Sequence, residues 1–224
     1  MNPRHLAERL FIIVVFFGLL LFLPAGTLAW REAWVFIGVS GATNLLVLAA
    51  LARLNPEIFA ARRRIQPGTK QWDRILLMFL FVALCAIFLV AGLDVKRFHW
   101  STAPVWTVWL GYGLYLFGSA LFTSAQAVNK FFEPGVRIQA DRSHHVIDRG
   151  PYRIVRHPGY VGACGIFVGT AMALGSLWAL VPAACTCLIL VIRTSAEDRT
   201  LREELWGYWD YARRVRFRWV PGVW

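Results

Sequence analysis

Uncharged apolar runs recur along the chain at residues 10–28, 33–52, 75–93, 105–128, 160–174 and 177–192, separated by polar stretches. The first four are long enough for a helix to cross ~30 Å of hydrocarbon, which takes about 20 residues. The last two are short and flank Gly175-Ser176, which predicts a tight helical hairpin, tilted or packed inside the bundle. Between the second and third runs, Pro56, Arg62, Arg63, Arg64, Gln66, Pro67 and Gly68 predict a short interfacial helix and a turn. After Ile192, Leu201, Leu205, Tyr208, Trp209 and Ala212 share one helical stripe, with Arg199, Arg202, Glu203, Glu204 and Asp210 elsewhere, the pattern of an amphipathic C-terminal helix. The pattern as a whole predicts an all-α integral membrane protein of about six transmembrane helices.

Composition agrees: 58% of the 224 residues are apolar, eleven are Trp, and only 17% are charged, unlike a soluble domain. With the N-terminus inside, 21 of the 24 Lys and Arg fall on one side of six passes and only Arg31, Lys96 and Arg97 on the other. Basic residues are retained on the cytoplasmic side, so both termini and the stretch around 130–156 are expected in the cytoplasm, with the inner or plasma membrane as the location in a bacterial cell. The net charge of +11 sits beside membrane spans among Trp and Tyr. It therefore reads as attraction to anionic headgroups, not to nucleic acid. Arg213, Arg214, Arg216 and Arg218, interleaved with Phe217, Trp219 and Trp224, suit a headgroup-level anchor. Cys85, Cys164, Cys185 and Cys187 lie inside apolar runs and read as small buried hydrophobes, with no metal site. The first run, with Arg4 and Arg9 before it, is long for a signal-peptide core, and Trp30 and Arg31 mark an interfacial anchor, so it is expected to stay as a span.

This divides the chain into a four-span scaffold, 1–128, and a region that carries the chemistry, 129–224. The latter opens with about thirty polar residues of weak periodicity, in which 137–141 and 144–148 read as extended and Arg149-Gly150-Pro151 as a turn. A long irregular segment in a compact protein is usually functional or disordered, and its Arg, His and aromatic content favours function. Pro158 directly before an apolar run marks a first helical position, which puts His157 at the cap and leaves backbone N–H groups for an anion such as a carboxylate. Gly162, Gly165 and Gly169 allow a close helix approach.

The densest chemistry is Gly150-Pro151-Tyr152-Arg153-Ile154-Val155-Arg156-His157-Pro158-Gly159-Tyr160, answered by Arg193-Thr194-Ser195-Ala196-Glu197-Asp198. The hairpin between them brings both ends together, giving a pocket with guanidinium, carboxylate, imidazole and phenols. Taken singly, each has an ordinary reading: Arg153 and Arg156 as snorkelling cations, Tyr152 and Tyr160 as interface aromatics, Glu197 as an i,i+4 partner of Arg193. Together they fit a zwitterionic ligand: an Arg or helix start for its carboxylate, Glu197 for its ammonium, tyrosine faces for a sulfonium. No zinc spacing, nucleophilic triad or soluble-type glycine fingerprint is present.

These paired motifs, with Leu201 and Tyr208-x2-Tyr211, resemble the isoprenylcysteine carboxyl methyltransferase family, related to the phospholipid methyltransferases. The resemblance covers roughly 129–221. It implies an integral-membrane methyltransferase whose cofactor, S-adenosyl-L-methionine, is held by the cytoplasmic loop. It further implies cofactor contacts at Gln139, at His144, His145, Val146 and Ile147, at Tyr152, at His157, Pro158, Gly159 and Tyr160, and at Glu197, with Arg193 as the substrate-side catalytic residue. Asp198 stands where the family usually has Glu, and Trp206-Gly207 where Phe-Gly is common.

Such an enzyme works mainly by aligning donor and acceptor and excluding water. A carboxylate acceptor needs no general base, and Arg193 would grip it with two prongs. The expected partners are the bilayer and a lipophilic or prenylated substrate, with a phospholipid amine or a thiol as other acceptors. The oligomeric state is left open. A reductase of the sterol-reductase type, using NADPH, is the competing enzyme class. A lipid transporter is a third reading, against which stand spans free of charge between residues 75 and 93 and between 160 and 192.

Overall fold

The computed structural model describes residues 15–224; Arg4 and Arg9 of the charge asymmetry lie outside them. The described chain is helical, without strands. Helix α1 is described over Val15–Ala25. Next come α2 (Arg31–Leu54), a four-residue α3 (Ile58–Ala61), α4 (Gln71–Gly92) with a π-helical end (Leu93–Phe98), and α5 (Val105–Val128). After the loop come α6 (Pro158–Ala173), α7 (Leu180–Glu204) and α8 (Tyr208–Arg214). Four of these, α2, α4 with its π-helical end, α5 and α7, are long and apolar enough to cross a membrane, and α6 and the described part of α1 are shorter apolar segments. This is the all-helical integral membrane architecture that the apolar runs predict.

The predicted hairpin is unequal. Helix α6 has 16 residues, whereas α7 has 25 and continues past Ile192 to Glu204. No Gly or Pro interrupts residues 184–206, so helix propensity carries the apolar segment straight into the polar one. The helix stops where Leu205 turns extended, and Gly207, in the left-handed region at φ +80°, caps α8, which starts on a new phase. In consequence Tyr211 joins Leu205, Tyr208 and Ala212 in the small core under the loop, while Trp209 from the predicted stripe is exposed. The expected single amphipathic helix is therefore two segments. Between residues 129 and 157 the expected extended stretches are absent, and the loop holds only 3-10 turns at Ala140–Arg142 and Gly150–Arg153.

Glycines bring α5 and α6 into close contact. A Cβ on Gly118 would lie 2.6 Å from the Gly162 carbonyl oxygen, and one on Gly169 would lie 2.5 Å from the Tyr115 nitrogen. The backbones touch because neither helix carries a side chain there. At the end away from the loop, buried Asp94 accepts hydrogen bonds from the Ser101 amide and hydroxyl (both 2.7 Å) and the Ser176 hydroxyl (2.5 Å). A carboxylate left without such donors in a dry bundle would cost several kcal/mol. It ties α4 to the α6–α7 turn and so sets the depth of the hairpin.

Gly162→Ala should destabilise the bundle by ~1–3 kcal/mol, as overpacking does. Gly113→Ala, whose added methyl meets nothing within 4 Å, should be neutral or slightly stabilising. Thermal unfolding of both variants in one detergent checks the contrast.

Candidate active site

Where the loop meets the ends of α4, α5, α6 and α7 there is a cavity of about 300 Å³. Its wall includes Gln139, His144, His145, Val146, Ile147, Tyr152, His157, Gly159, Tyr160, Arg193 and Glu197. Pro158 is not part of the wall; it is buried at the first position of α6, directly after the capping residue His157. Two turns shape the approach. Gly150 adopts φ +57°, which glycine reaches without steric cost, and Pro151 fixes the next residue. Gly159 lies against the Phe132 ring, 2.7 Å from where a Cβ would stand.

Asp198, fully buried, draws this end of the molecule together. Its Oδ1 accepts hydrogen bonds from Arg156 Nε (2.8 Å) and the Tyr208 hydroxyl (2.9 Å), and its Oδ2 from Arg156 Nη2 and Arg218 Nε (both 3.1 Å). Arg202 is 3.2 Å away. His157 Nε2 lies 3.5 Å from Oδ1 and has no hydrogen-bond partner among the described residues. Arg156 also donates to the Val215 and Arg216 carbonyls at 2.7 Å, and the amides of Arg156 and His157 donate to the Phe217 and Arg218 carbonyls. Trp219 Nε1 donates to Thr194 Oγ1 at 2.8 Å. Arg218 and Trp219, expected among headgroups, thus turn inward, because buried acceptors hold them more firmly than water does. Arg213 and Arg214 remain exposed.

Arg193 and Glu197, one helical turn apart, do not pair with each other. Arg193 Nε and Nη2 donate to Asp73 Oδ1 (2.6 Å) and Oδ2 (3.1 Å), and Nη2 also to the Pro134 carbonyl (2.6 Å). Asp73 Oδ2 further accepts the Val136 amide at 2.7 Å. The expected two-pronged grip of Arg193 on an acceptor is therefore corrected: Asp73 occupies that edge of the guanidinium, leaving Nη1 without a partner among the described residues. Arg193 lies 5.4 Å from the centre of the Tyr160 ring, and the Tyr160 hydroxyl donates to Glu197 Oε2. Glu197 has no cationic partner among the described residues.

The loop wall is bound internally. Gln139 Nε2 donates to the Phe131 carbonyl at 2.7 Å, and its Oε1 accepts from Arg142 at 2.9 Å. The Phe131 ring packs on the imidazoles of His144 and His145 at 4.4 and 5.0 Å. His144 Nδ1 accepts the Gln139 amide at 3.4 Å, which places the ring proton on Nε2. Burial, then His145, Arg137 and Arg142, lower the His144 pKa to about 4, so the ring is neutral at pH 7. Tyr152 accepts from Asn129 Nδ2 at 3.0 Å. Burial pushes the phenol up, so it stays protonated.

The sequence did not point to two wall or support residues. Asp73 partners Arg193 across 120 positions, which no local periodicity reports. Arg62 lines the cavity from the short α3 segment; its only sequence signal was the Arg62–Arg64 run, read as an interface feature.

Asp198→Ala should cost about 3–5 kcal/mol, the usual effect of orphaning buried partners, and limited proteolysis should then cut within residues 205–224. For His144, the unfolded chain takes a proton near pH 6.5 while the folded ring holds out to about 4. The stability it contributes is therefore full above pH 6.5 and is lost as pH falls toward 4. Melting His144→Gln beside the parent across that window should show a shallower acid decline in the variant.

Residues 106–206, from α5 through α7, match the phospholipid methyltransferase family model. The fold is similar to that of the eukaryotic intramembrane Ras methyltransferase ICMT (isoprenylcysteine carboxyl methyltransferase), with a TM-score of 0.53 at 20% identity, over 93% of this chain and 74% of that one. No curated protein matches the sequence. The family-model match supports the resemblance to the phospholipid methyltransferases and their relatives read from the motifs, and the likeness to the solved structure is one of fold.

Proposed function

We propose that this protein transfers a methyl group from S-adenosylmethionine to the carboxylate of a lipophilic acceptor, with the loop side of the bundle facing the cytoplasm. The observation that carries the reading is Glu197: a half-buried carboxylate held by the Tyr160 hydroxyl, without a cation among the described residues, facing the loop across one cavity. A carboxylate so placed seeks a cationic or hydrogen-bond-donating ligand. The wall suits this donor in two further ways. Tyr208 supplies an aromatic face for a cation. Neutral His144 sets no charge against a sulfonium.

In this reading Glu197 takes the ammonium of the donor, His157 to Tyr160 take the amino-acid portion, and Gln139, His144 to Ile147 and Tyr152 surround the rest. S-adenosylmethionine, when bound, supplies a methyl already activated on a sulfonium. The chain's own contribution is alignment and exclusion of water. Arg193, fixed by Asp73, borders the acceptor side with a guanidinium that cannot swing away. A carboxylate acceptor needs no proton removed, and the acids here are already engaged: Glu197 by Tyr160, Asp73 and Asp198 by arginines.

Calorimetric titration of the solubilised protein with S-adenosylhomocysteine, beside NADPH, tests the reading. Saturable binding of the first is expected. Glu197→Gln should weaken it by about tenfold or more, the scale of a hydrogen bond to a charged group. Arg193→Ala would orphan Asp73, so Arg193→Lys is the matched variant: binding should persist and turnover fall. Binding of NADPH alone would replace the methyltransferase with a reductase.

A further inference from the structure

Each arginine described in the cavity wall has a carboxylate, except one. Arg156 is held by Asp198 and Arg193 by Asp73. Arg62, at the end of α3, lines the same cavity, and its side chain makes no hydrogen bond or ion pair among the described residues. Its guanidinium carbon lies 5.3 Å from the centre of the Phe132 ring and 5.8 Å from that of Phe122. Burial and the nearby Arg193 pull its pKa down to about 10, so it is still charged at pH 7. A partly desolvated cation beside a second cation is stabilised by an anion.

Position separates the possible anions. A second groove, of about 470 Å³, runs between α2 and α5 and is walled by Val47, Leu48, Leu51 and Ile166 among others. Arg62 and Phe122 are the residues that line both spaces. Arg62 thus stands on the wall shared by the cavity and a groove among the spans that mixes apolar side chains with Thr43, Asn44, Ser119, Thr123 and Gln126. The proposed donor contacts on the loop lie elsewhere on the wall, and Arg62 neighbours Arg193 on the acceptor side, with Tyr160 between it and the donor's amino-acid portion. We infer that Arg62 holds the anionic group of the methyl acceptor and so sets the acceptor's charge class, an inference that rests on the methyl-transfer reading. A lipophilic acid lying in the groove brings its carboxylate to Arg62 beside Arg193. A protonated lipid amine, or its quaternary product, meets two guanidinium groups and is repelled.

The test measures binding in the intact protein, so it does not depend on turnover. The probes are N-acetyl-S-farnesylcysteine, a lipophilic carboxylic acid, its uncharged methyl ester, and S-adenosylhomocysteine. The parent should bind the acid about ten- to hundredfold more tightly than the ester, the range of a hydrogen bond between charged groups. Arg62→Gln should abolish that preference and leave S-adenosylhomocysteine affinity within about twofold, inside the usual spread for uncoupled sites. Arg62→Lys should keep part of the preference. Survival of the preference in Arg62→Gln, or its absence in the parent, overturns the inference. So does an equal loss of S-adenosylhomocysteine affinity in Arg62→Gln, which would assign Arg62 to the donor's carboxylate. Should the parent prefer the acid yet fail to bind S-adenosylhomocysteine, the anion site stands and the methyl-transfer reading falls.

Discussion

The cavity depends on the burial of one carboxylate. Asp198 is out of reach of water, and a carboxylate there costs several kcal/mol unless its lone pairs are filled. They are filled from three directions: Arg156 at the end of the loop, Tyr208 on α8, and Arg218 in the C-terminal tail. A loop with no regular secondary structure has little of its own to hold it against a bundle. Here the loop is fastened because its last residues supply the charge that Asp198 requires, and the tail closes over it through the same acid.

A second buried carboxylate repeats the device toward the interior. Asp73 on α4 holds Arg193 and the Val136 amide, and so joins the near side of the loop to α7. Together the two acids neutralise the most deeply buried arginines of the motif. What they leave over is Glu197 on one part of the wall and Arg62 on another. The site therefore carries one unsatisfied negative charge and one unsatisfied positive charge inside a largely neutralised frame. The functional reading rests chiefly on these two residues.

The parts legible in the sequence were those whose cause is local. Pro158 after His157 marked a cap, the glycines of 162–169 marked a close approach, and the apolar runs marked the spans. His157 and Tyr160 could be brought together with Arg193 and Glu197 because a hairpin of known length returns the chain to its starting side. Asp73 could not be paired with Arg193, because a contact across 120 residues leaves no trace in periodicity. The continuation of α7 was hidden by the change from apolar to polar at Arg193, which looks like a boundary although the backbone has no reason to stop. The inward turn of Arg218 and Trp219 was hidden too, since basic and aromatic residues at a membrane surface have a cheaper explanation until a buried acceptor is known.

The charge layout also bears on which step each group serves. When a methyl passes from a sulfonium to a carboxylate, opposite charges cancel, so both reactants are more highly charged than the transition state. A guanidinium beside the acceptor therefore favours the bound acid over the transition state. Interactions of that kind promote capture and orientation more than they raise the rate of the chemical step. They have a use afterwards. The ester product is uncharged and no longer attracted by Arg62, while the neutral thioether left on the donor loses any cation–π contact with Tyr208. On the proposed reading one arginine would hold the acid and release the ester, so that the lack of a carboxylate partner for Arg62 among the described residues would serve the site.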